Sequence, residues 1–191
     1  MAAGAQTKHD LVFVSFTAEI SQTTSESLLG LCANLATQRV GTVYLLLSTP
    51  GGSVSSGITI YNTLRAMPFK LVTHNTGSVN SIGNAVFLAG EERYACPNAT
   101  FMFHGVGLDV QNRRFEQKDL RETLGMIVAE QTKIGAVITE RTKISADEVG
   151  QLFLEAVTRD PDYARDKGII QEIRDVQIPP GVPVHQFVFK R

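Results

Sequence analysis

Short apolar runs alternate along the chain with segments in which apolar residues recur at helical spacing. Residues 11–16 and 42–47 are apolar runs of strand length, and residues 49–52 (TPGG) break the second of them. After that break, apolar side chains recur every three or four residues from Val54 to Leu64, which is the period of one helix face. Repeated strand–helix–strand units predict an α/β fold with a largely parallel sheet flanked by helices.

Capping patterns mark where several helices should begin. Thr23 and Glu26 have the spacing of a capping box before the first helix, and Ser145 and Glu148 have it before a later one. Asp160 is followed by a proline, a pair that favours the N-terminus of a further short helix. The chain therefore carries local start signals for its helices as well as the apolar pattern that would bury them.

Composition limits the classes of protein to which the chain can belong. Its 191 residues fit one domain, and 43% apolar and 19% charged residues are typical of a globular protein. A net charge of −1 argues against nucleic acid or an anionic membrane as the main partner, and no apolar run approaches the length of a membrane span. Cys32 and Cys96 form no metal-binding or disulfide pattern. We expect a cytoplasmic protein that uses no metal and no cofactor.

The turn at residues 49–53 (TPGGS) lies between a predicted strand and a predicted helix. Its two glycines allow a ligand to approach the backbone closely, and N–H groups are free at the helix N-terminus that follows. The turn favours an oxyanion hole or an anion site, although an ordinary tight turn has the same pattern. It is not a phosphate-binding P-loop, because the lysine of that motif is absent.

Ser81 and His104 are the two side chains whose context suits catalysis. Ser81 stands at the start of a short apolar helix predicted over 80–89, where it is either a nucleophile or a helix cap. The nucleophile elbow of α/β-hydrolases does not fit, because Val79 replaces a glycine of that motif. His104 ends a strand predicted over 100–104 and is either a general base or a structural histidine.

In order and spacing, these segments resemble the proteolytic subunit of the Clp protease (ClpP), a family of serine peptidases in the crotonase-like superfamily. The resemblance covers about 11–175 and is strongest over residues 47–54, 77–83 and 96–104. It implies a single domain built as a superhelix of repeated strand–strand–helix units, with a protruding helical handle at about 106–140.

Three further segments bear on the assembly that the resemblance implies. The long helix predicted over 120–138 and the polar stretch 109–118 before it match the handle that joins two rings, so we expect a homo-oligomer of heptameric rings. Residues 1–10, expected to be flexible, are shorter than the family's N-terminal segment, which argues against docking to an AAA+ unfoldase. The tail, 176–191, is rich in proline and expected to be extended.

The resemblance also implies roles for individual residues. Ser81 occupies the position of the nucleophile, and His104 occupies that of the general base. The amides of Gly52 and Ile82 would form the oxyanion hole, which agrees with two N–H donors beside a serine at a helix start. The implied substrate is a peptide or an unfolded protein.

The acidic member of the family's triad has no direct counterpart here. Reading back from Gly168 or forward from Asp119 without gaps gives Ala156 at the position of the family's aspartate. Glu155 is its neighbour, and we expect either the Glu155 carboxylate or a nearby backbone carbonyl to lie within hydrogen-bond reach of His104. Without such a carboxylate, the histidine loses control of its tautomer.

Three functions remain open from the sequence. The first is a ClpP-like serine endopeptidase that forms an acyl-enzyme on Ser81. The second is a catalytically impaired homologue with a structural or regulatory role in a ring assembly, which Ala156 and the short N-terminus favour. The third is a crotonase-fold enzyme acting on a coenzyme A thioester, a chemistry that does not need Ser81 and His104 together.

Overall fold

A sheet of eight strands organises the described part of the chain. The computed structural model describes residues 10–108 and 114–187. The strands are β1 Leu11–Thr17, β2 Thr42–Thr49, β3 Lys70–Asn80, β4 Glu92–Ala95, β5 Thr100–Phe103, β6 Val157–Arg159, β7 Glu172–Ile173 and β8 Val184–Gln186. The helices are α1 Gln22–Thr37, α2 Val54–Arg65, α3 Gly83–Phe87, α4 Gln117–Arg141, α5 Ala146–Glu155 and α6 Pro161–Asp166. The predicted α/β fold class is confirmed.

The sheet is parallel along most of its path. Its main path runs β6-β5-β3-β2-β1-β8, and β4 and β7 branch from β3. The β5–β6 pair is antiparallel, whereas the pairs formed by β1, β2 and β3 are parallel. In β2, Val43, Leu45 and Leu47 are buried while the residues between them are only partly buried, so one face of this strand packs fully into the core.

Strand β3 changes its partner at Asn75. Residues 72–75 pair with β4, whereas residues 78–80 pair with β5. The Asn75 side chain is fully buried at this point, where its Nδ2 donates to the Thr100 carbonyl at 2.8 Å and its Oδ1 accepts from the Gly77 N–H at 3.1 Å. The change of partner brings the end of β5 beside the end of β3, and so places the segments that carry His104 and Ser81 next to each other.

Close packing of α2 on α3 fixes the position of the segment after β3. A Cβ atom at Gly57 in α2 would lie 2.3 Å from Cγ1 of Ile82, so only glycine permits this approach. All five residues of α3 are buried, as expected from its apolar sequence. The core therefore holds the start of α3 against α2 and leaves it little freedom to shift.

Two of three predicted caps are confirmed. Helix α1 is capped by Ser21, whose Oγ accepts from the Thr24 N–H at 3.3 Å while the Thr24 hydroxyl accepts from the Ser21 N–H at 2.9 Å. The capping box predicted at Thr23 is therefore two residues too late. The caps at Ser145 and Asp160 are confirmed, since each side chain accepts from a backbone N–H three residues later.

Other predicted bounds differ from the structure. The helix predicted over 80–89 is reduced to α3, because Asn80 remains paired in β3. Part of the extended tail returns to the sheet as β8, parallel to β1. Residues 1–9 and the first part of the predicted handle, 109–113, lie outside the described residues. Among the helices of the described residues, none is long and apolar enough to span a membrane.

Candidate active site

The Gly51-Gly52 turn lies directly against Ser81 and the end of β1. Gly51 and Gly52 have φ angles of 94° and 138°, which L-residues with a Cβ rarely adopt. A Cβ atom on Gly51 would lie 2.7 Å from Cβ of Ser81, and one on Gly52 would lie 2.3 Å from the carbonyl oxygen of Ile20. Both the conformation and the close approach therefore require glycine at these positions.

The N–H of Gly52 is left unused by the turn. The turn forms a parallel bridge with Ile20, in which the Ile20 N–H donates to the Gly51 carbonyl and the Ser53 N–H donates to the Ile20 carbonyl, both at 2.7 Å. The bonds of this bridge run through the neighbours of Gly52 and not through its own N–H. Among the described residues, no acceptor receives the N–H of Gly52 or that of Ile82.

Ser81 occupies a left-handed backbone conformation between β3 and α3. Its φ angle is 57°, a region that costs a residue with a side chain on the order of 1–3 kcal/mol. Its N–H donates to the Met102 carbonyl at 2.9 Å, and its carbonyl accepts from the Asn84 N–H at 3.0 Å. Ile82, not Ser81, is the N-cap residue of α3, and no side chain caps this helix. The helix-cap interpretation of Ser81 is therefore wrong.

His104 directly follows β5 and is half-buried. The next residue, Gly105, donates its N–H to the Phe153 carbonyl at 3.0 Å, which attaches the strand end to α5. His104 forms no hydrogen bond with any residue of the described ranges, including Ser81 and Glu155. The histidine thus lies two residues beyond Met102, whose carbonyl accepts from the Ser81 N–H.

His104 and Ala156 each adjoin the last residue pair of β5 and β6. In the antiparallel β5–β6 pair, Met102 lies opposite Thr158 and Phe103 lies opposite Val157. The ladder ends there: Ala156 is the left-handed C-cap of α5, and beyond His104 the Gly105 N–H donates to the Phe153 carbonyl. That Ala156 holds the position of the family's acidic residue stays a prediction.

Glu155 forms an exposed ion pair with Arg159. Its carboxylate lies 3.9 Å from the Arg159 guanidinium, and its side chain is 53% exposed. Arg159 also lies over the ring of Tyr163, 4.9 Å from the ring centre. Among the described residues, no carboxylate forms a hydrogen bond with His104.

Comparison with known proteins identifies the family. The sequence model of the Clp protease family matches residues 7–177. The chain belongs to the Clp protease family. The resemblance seen in the sequence is thereby confirmed, and the match covers both glycine-rich turns and the strand that precedes His104.

Individual members of the family are similar to this chain over part of its length. Proteolytic subunit 2 of the ATP-dependent Clp protease from Pseudomonas aeruginosa is 31% identical over 123 residues, which are 57% of this chain and 61% of the relative. Subunit 2 from Corynebacterium efficiens is 31% identical over 134 residues, which are 64% of this chain and 57% of the relative. The chain thus aligns with about 60% of the length of these relatives.

A solved structure supports the fold over a larger share of the chain. A point mutant of ClpP1 from Listeria monocytogenes superposes with a TM-score of 0.77, covering 86% of this chain and 92% of the other. The two sequences are 22% identical, so this similarity supports the fold alone.

The other histidine of the sheet, His74, has a structural environment. It is fully buried, its Nδ1 lies 2.8 Å from the Tyr44 hydroxyl, and its Nε2 lies 3.0 Å from the Arg174 carbonyl. Because a carbonyl can only accept, Nε2 carries the hydrogen and Nδ1 accepts from the tyrosine. Burial lowers the pKa of His74. This ring therefore joins the C-terminal segment to the sheet in its neutral form.

The two thiols show no sign of reactivity. Burial raises the pKa of Cys32 to about 12, and burial also raises the pKa of Cys96. Thiols with raised pKa values are poor nucleophiles near neutral pH. The described residues contain no group of three histidine, cysteine or acidic side chains that would hold a metal ion.

One residue of the site was missed by sequence reasoning. Asn84 is buried in α3, and its Nδ2 donates to the carbonyls of Ser81 and Met102 at 3.0 and 2.8 Å. The only signal in the sequence is an amide side chain inside an otherwise apolar helix. This signal becomes informative only once the helix is known to be buried, because a buried polar side chain is expected to have hydrogen-bond partners.

Proposed function

We propose that this protein is a serine endopeptidase with Ser81 as its nucleophile. The observation that carries this proposal is the strained left-handed Ser81, packed against a glycine turn whose Gly52 N–H has no acceptor among the described residues. Membership of the Clp protease family supports the same chemistry. Peptides and unfolded proteins are the proposed substrates, and the reaction needs no cofactor.

The proposed mechanism begins with proton transfer from Ser81 Oγ to His104. The alkoxide oxygen attacks the scissile carbonyl, and the oxyanion that forms accepts hydrogen bonds from the N–H groups of Gly52 and Ile82. His104 then gives its proton to the leaving amine, the C–N bond breaks, and an acyl-enzyme remains on Ser81. A water molecule, deprotonated by His104, hydrolyses this ester and restores the serine.

The environment of His104 limits the expected rate. Loss of the orienting carboxylate in a Ser-His-Asp triad costs ~10⁴ in kcat. Glu155 would have to leave its ion pair with Arg159 to supply that carboxylate. We therefore propose a slow peptidase, in which Glu155 serves as the orienting group only when it is released from Arg159.

Ala156 favours a second candidate function. An alanine at the position predicted for the family's acidic residue fits a catalytically impaired homologue that acts as a structural or regulatory subunit of a ring assembly. Large apolar side chains are exposed on α4 and α5, with Leu124 61% and Leu154 81% exposed. Exposed apolar surface of this kind is typical of protein interfaces, which supports a homo-oligomer, with heptameric rings as in the family.

Labelling with a fluorophosphonate probe separates the two functions. An active protein should form a covalent adduct on Ser81, detected by mass spectrometry, and this adduct should be absent from Ser81→Ala. The His104→Ala variant should be labelled much more slowly, because the general base is missing. Absence of an adduct under conditions in which a reference serine peptidase reacts fully would contradict the enzymatic function and favour the structural one.

A further inference from the structure

We propose that Asn84 is a positioning residue that holds the Ser81 backbone and the strand leading to His104 in one rigid unit. This proposal rests on the proposed function, because it gives Ser81 and His104 their catalytic roles. Nothing in the catalytic chemistry itself requires an amide at this position. The Asn84 amide, however, lies between the segment that carries Ser81 and the strand that leads to His104, and the proposed reaction requires these two segments to keep their relative position.

The contacts of Asn84 join two chain segments that are distant in sequence. Its Nδ2 donates both to the Ser81 carbonyl at 3.0 Å and to the Met102 carbonyl at 2.8 Å. The Met102 carbonyl also accepts from the Ser81 N–H, so one carbonyl of β5 receives both groups. His104 follows Met102 by two residues, and any shift of this carbonyl moves the histidine relative to the serine.

The orientation of the Asn84 amide is fixed by chemistry. Two carbonyl oxygens face it, and carbonyl oxygens only accept hydrogen bonds, so the NH₂ group must point toward them. A rotated amide would place its oxygen against two other oxygens. The side chain therefore acts as a double donor with a single allowed orientation.

The other end of the same amide shows that this arrangement is costly. Asn84 is only 1% exposed, and its Oδ1 has no hydrogen-bond partner in the part of the chain that the structure describes. A buried amide oxygen without a partner destabilises the fold, and an apolar side chain would fill α3 without that cost. The two hydrogen bonds donated by Nδ2 are thus what offsets the cost of burying a polar side chain in this apolar helix.

Removal of the Asn84 side chain would leave the backbone hydrogen bonds around Ser81 in place. The Ser81 carbonyl keeps its bond from the Asn84 N–H, and the Met102 carbonyl keeps its bond from the Ser81 N–H. The fold should therefore survive loss of the amide. What is lost is the restraint on the left-handed Ser81, whose conformation is intrinsically unfavourable.

The test compares Asn84→Ala with Val86→Ala. Val86 is a fully buried residue of the same helix that is not part of the site, so its truncation controls for lost packing. Two measurements are made on each full-length variant: the rate of fluorophosphonate labelling of Ser81, and Tm. We expect Ser81 to be labelled on the order of 10²-fold more slowly in Asn84→Ala, because a small displacement of reacting groups costs about that much in rate. Val86→Ala should lose Tm but keep the parent's labelling rate.

A third variant, Asn84→Asp, keeps the proposal testable if the alanine variant does not fold. Its carboxylate would repel both carbonyls, whereas its protonated form regains one donor. Relative to the parent at each pH, its labelling rate should rise as pH falls toward 4, which a purely structural role would not produce.

The outcomes distinguish this proposal from the one on which it rests. If the parent protein is not labelled at Ser81, both proposals fail. If the parent is labelled, and Asn84→Ala is labelled as fast as Val86→Ala at a similar Tm, then only the positioning role of Asn84 is overturned.

Discussion

Replacement of Ala156 by aspartate should raise the rate of the peptidase reaction that we propose for Ser81 and His104. The last pair of the antiparallel β5–β6 ladder is Phe103 with Val157, and we expect the residues that adjoin this pair, His104 and Ala156, to lie close together. The left-handed φ of 53° at Ala156 is no obstacle, because aspartate is among the residues that adopt this region most readily.

The size of the expected gain follows from the role of the carboxylate. An ionised aspartate fixes the histidine tautomer and stabilises the imidazolium, which together are worth up to ~10⁴ in kcat, or about 5 kcal/mol of transition-state stabilisation. Ala156 is exposed in the isolated chain, so water will compete for the new hydrogen bond. We therefore expect a gain on the order of 10²–10⁴ in the rate of Ser81 labelling and of fluorogenic peptide hydrolysis.

The matched control is Ala156→Asn, which has nearly the same shape but no charge. Asparagine can favour the wrong tautomer of His104, so this variant should stay near the parent rate. A second control, Ala156→Asp combined with Ser81→Ala, should show no activity. Equal rates for the aspartate and asparagine variants between pH 6 and 9 would refute the inference that position 156 lies close to the histidine.

Three further changes test other parts of the structure. Gly52→Ala should abolish labelling of Ser81 and lower Tm, because its Cβ would lie 2.3 Å from the Ile20 carbonyl oxygen; a fully active variant would contradict this geometry. Burial lowers the pKa of His74 in the folded protein, so below about pH 6.5 the unfolded chain binds more protons than the folded one. The free energy of unfolding should therefore fall as the pH decreases from about 6.5, by up to about 1.4 kcal/mol per pH unit. Urea titrations of the parent and of His74→Gln, which should lack this component, measure the effect. Leu154→Glu should shift the protein to smaller species in sedimentation velocity, and an unchanged distribution would exclude this side chain from the interface.

The sequence was most informative where local chemistry decides the structure. Asp160 before a proline predicts a helix start from the geometry of two residues, and the structure has that start. Thr23 has the same kind of pattern but does not cap α1, because Ser21 and Thr24 form a reciprocal pair two residues earlier. Two overlapping polar patterns compete there, and spacing alone does not choose between them.

Long-range contacts account for what the sequence did not reveal. The partner change of β3 at Asn75 depends on a hydrogen bond to Thr100, which is 25 residues away along the chain. Asn84 likewise becomes notable only when Met102 is known to lie beside it. The assignment of Ala156 to the position of the family's acidic residue rests on counting residues along the chain, and it stays a prediction.

The proposed site separates into two parts that evolution can change independently. The oxyanion donors and the strained serine are built from backbone, and they depend on the packing of Gly51, Gly57 and Ile82 against their neighbours. Removing them would require a change in the core. The proposed position of the orienting acid, by contrast, is a single exposed residue, Ala156, at the junction of α5 and β6. A substitution there should change catalytic power without disturbing the core, and Ala156→Asp tests that expectation.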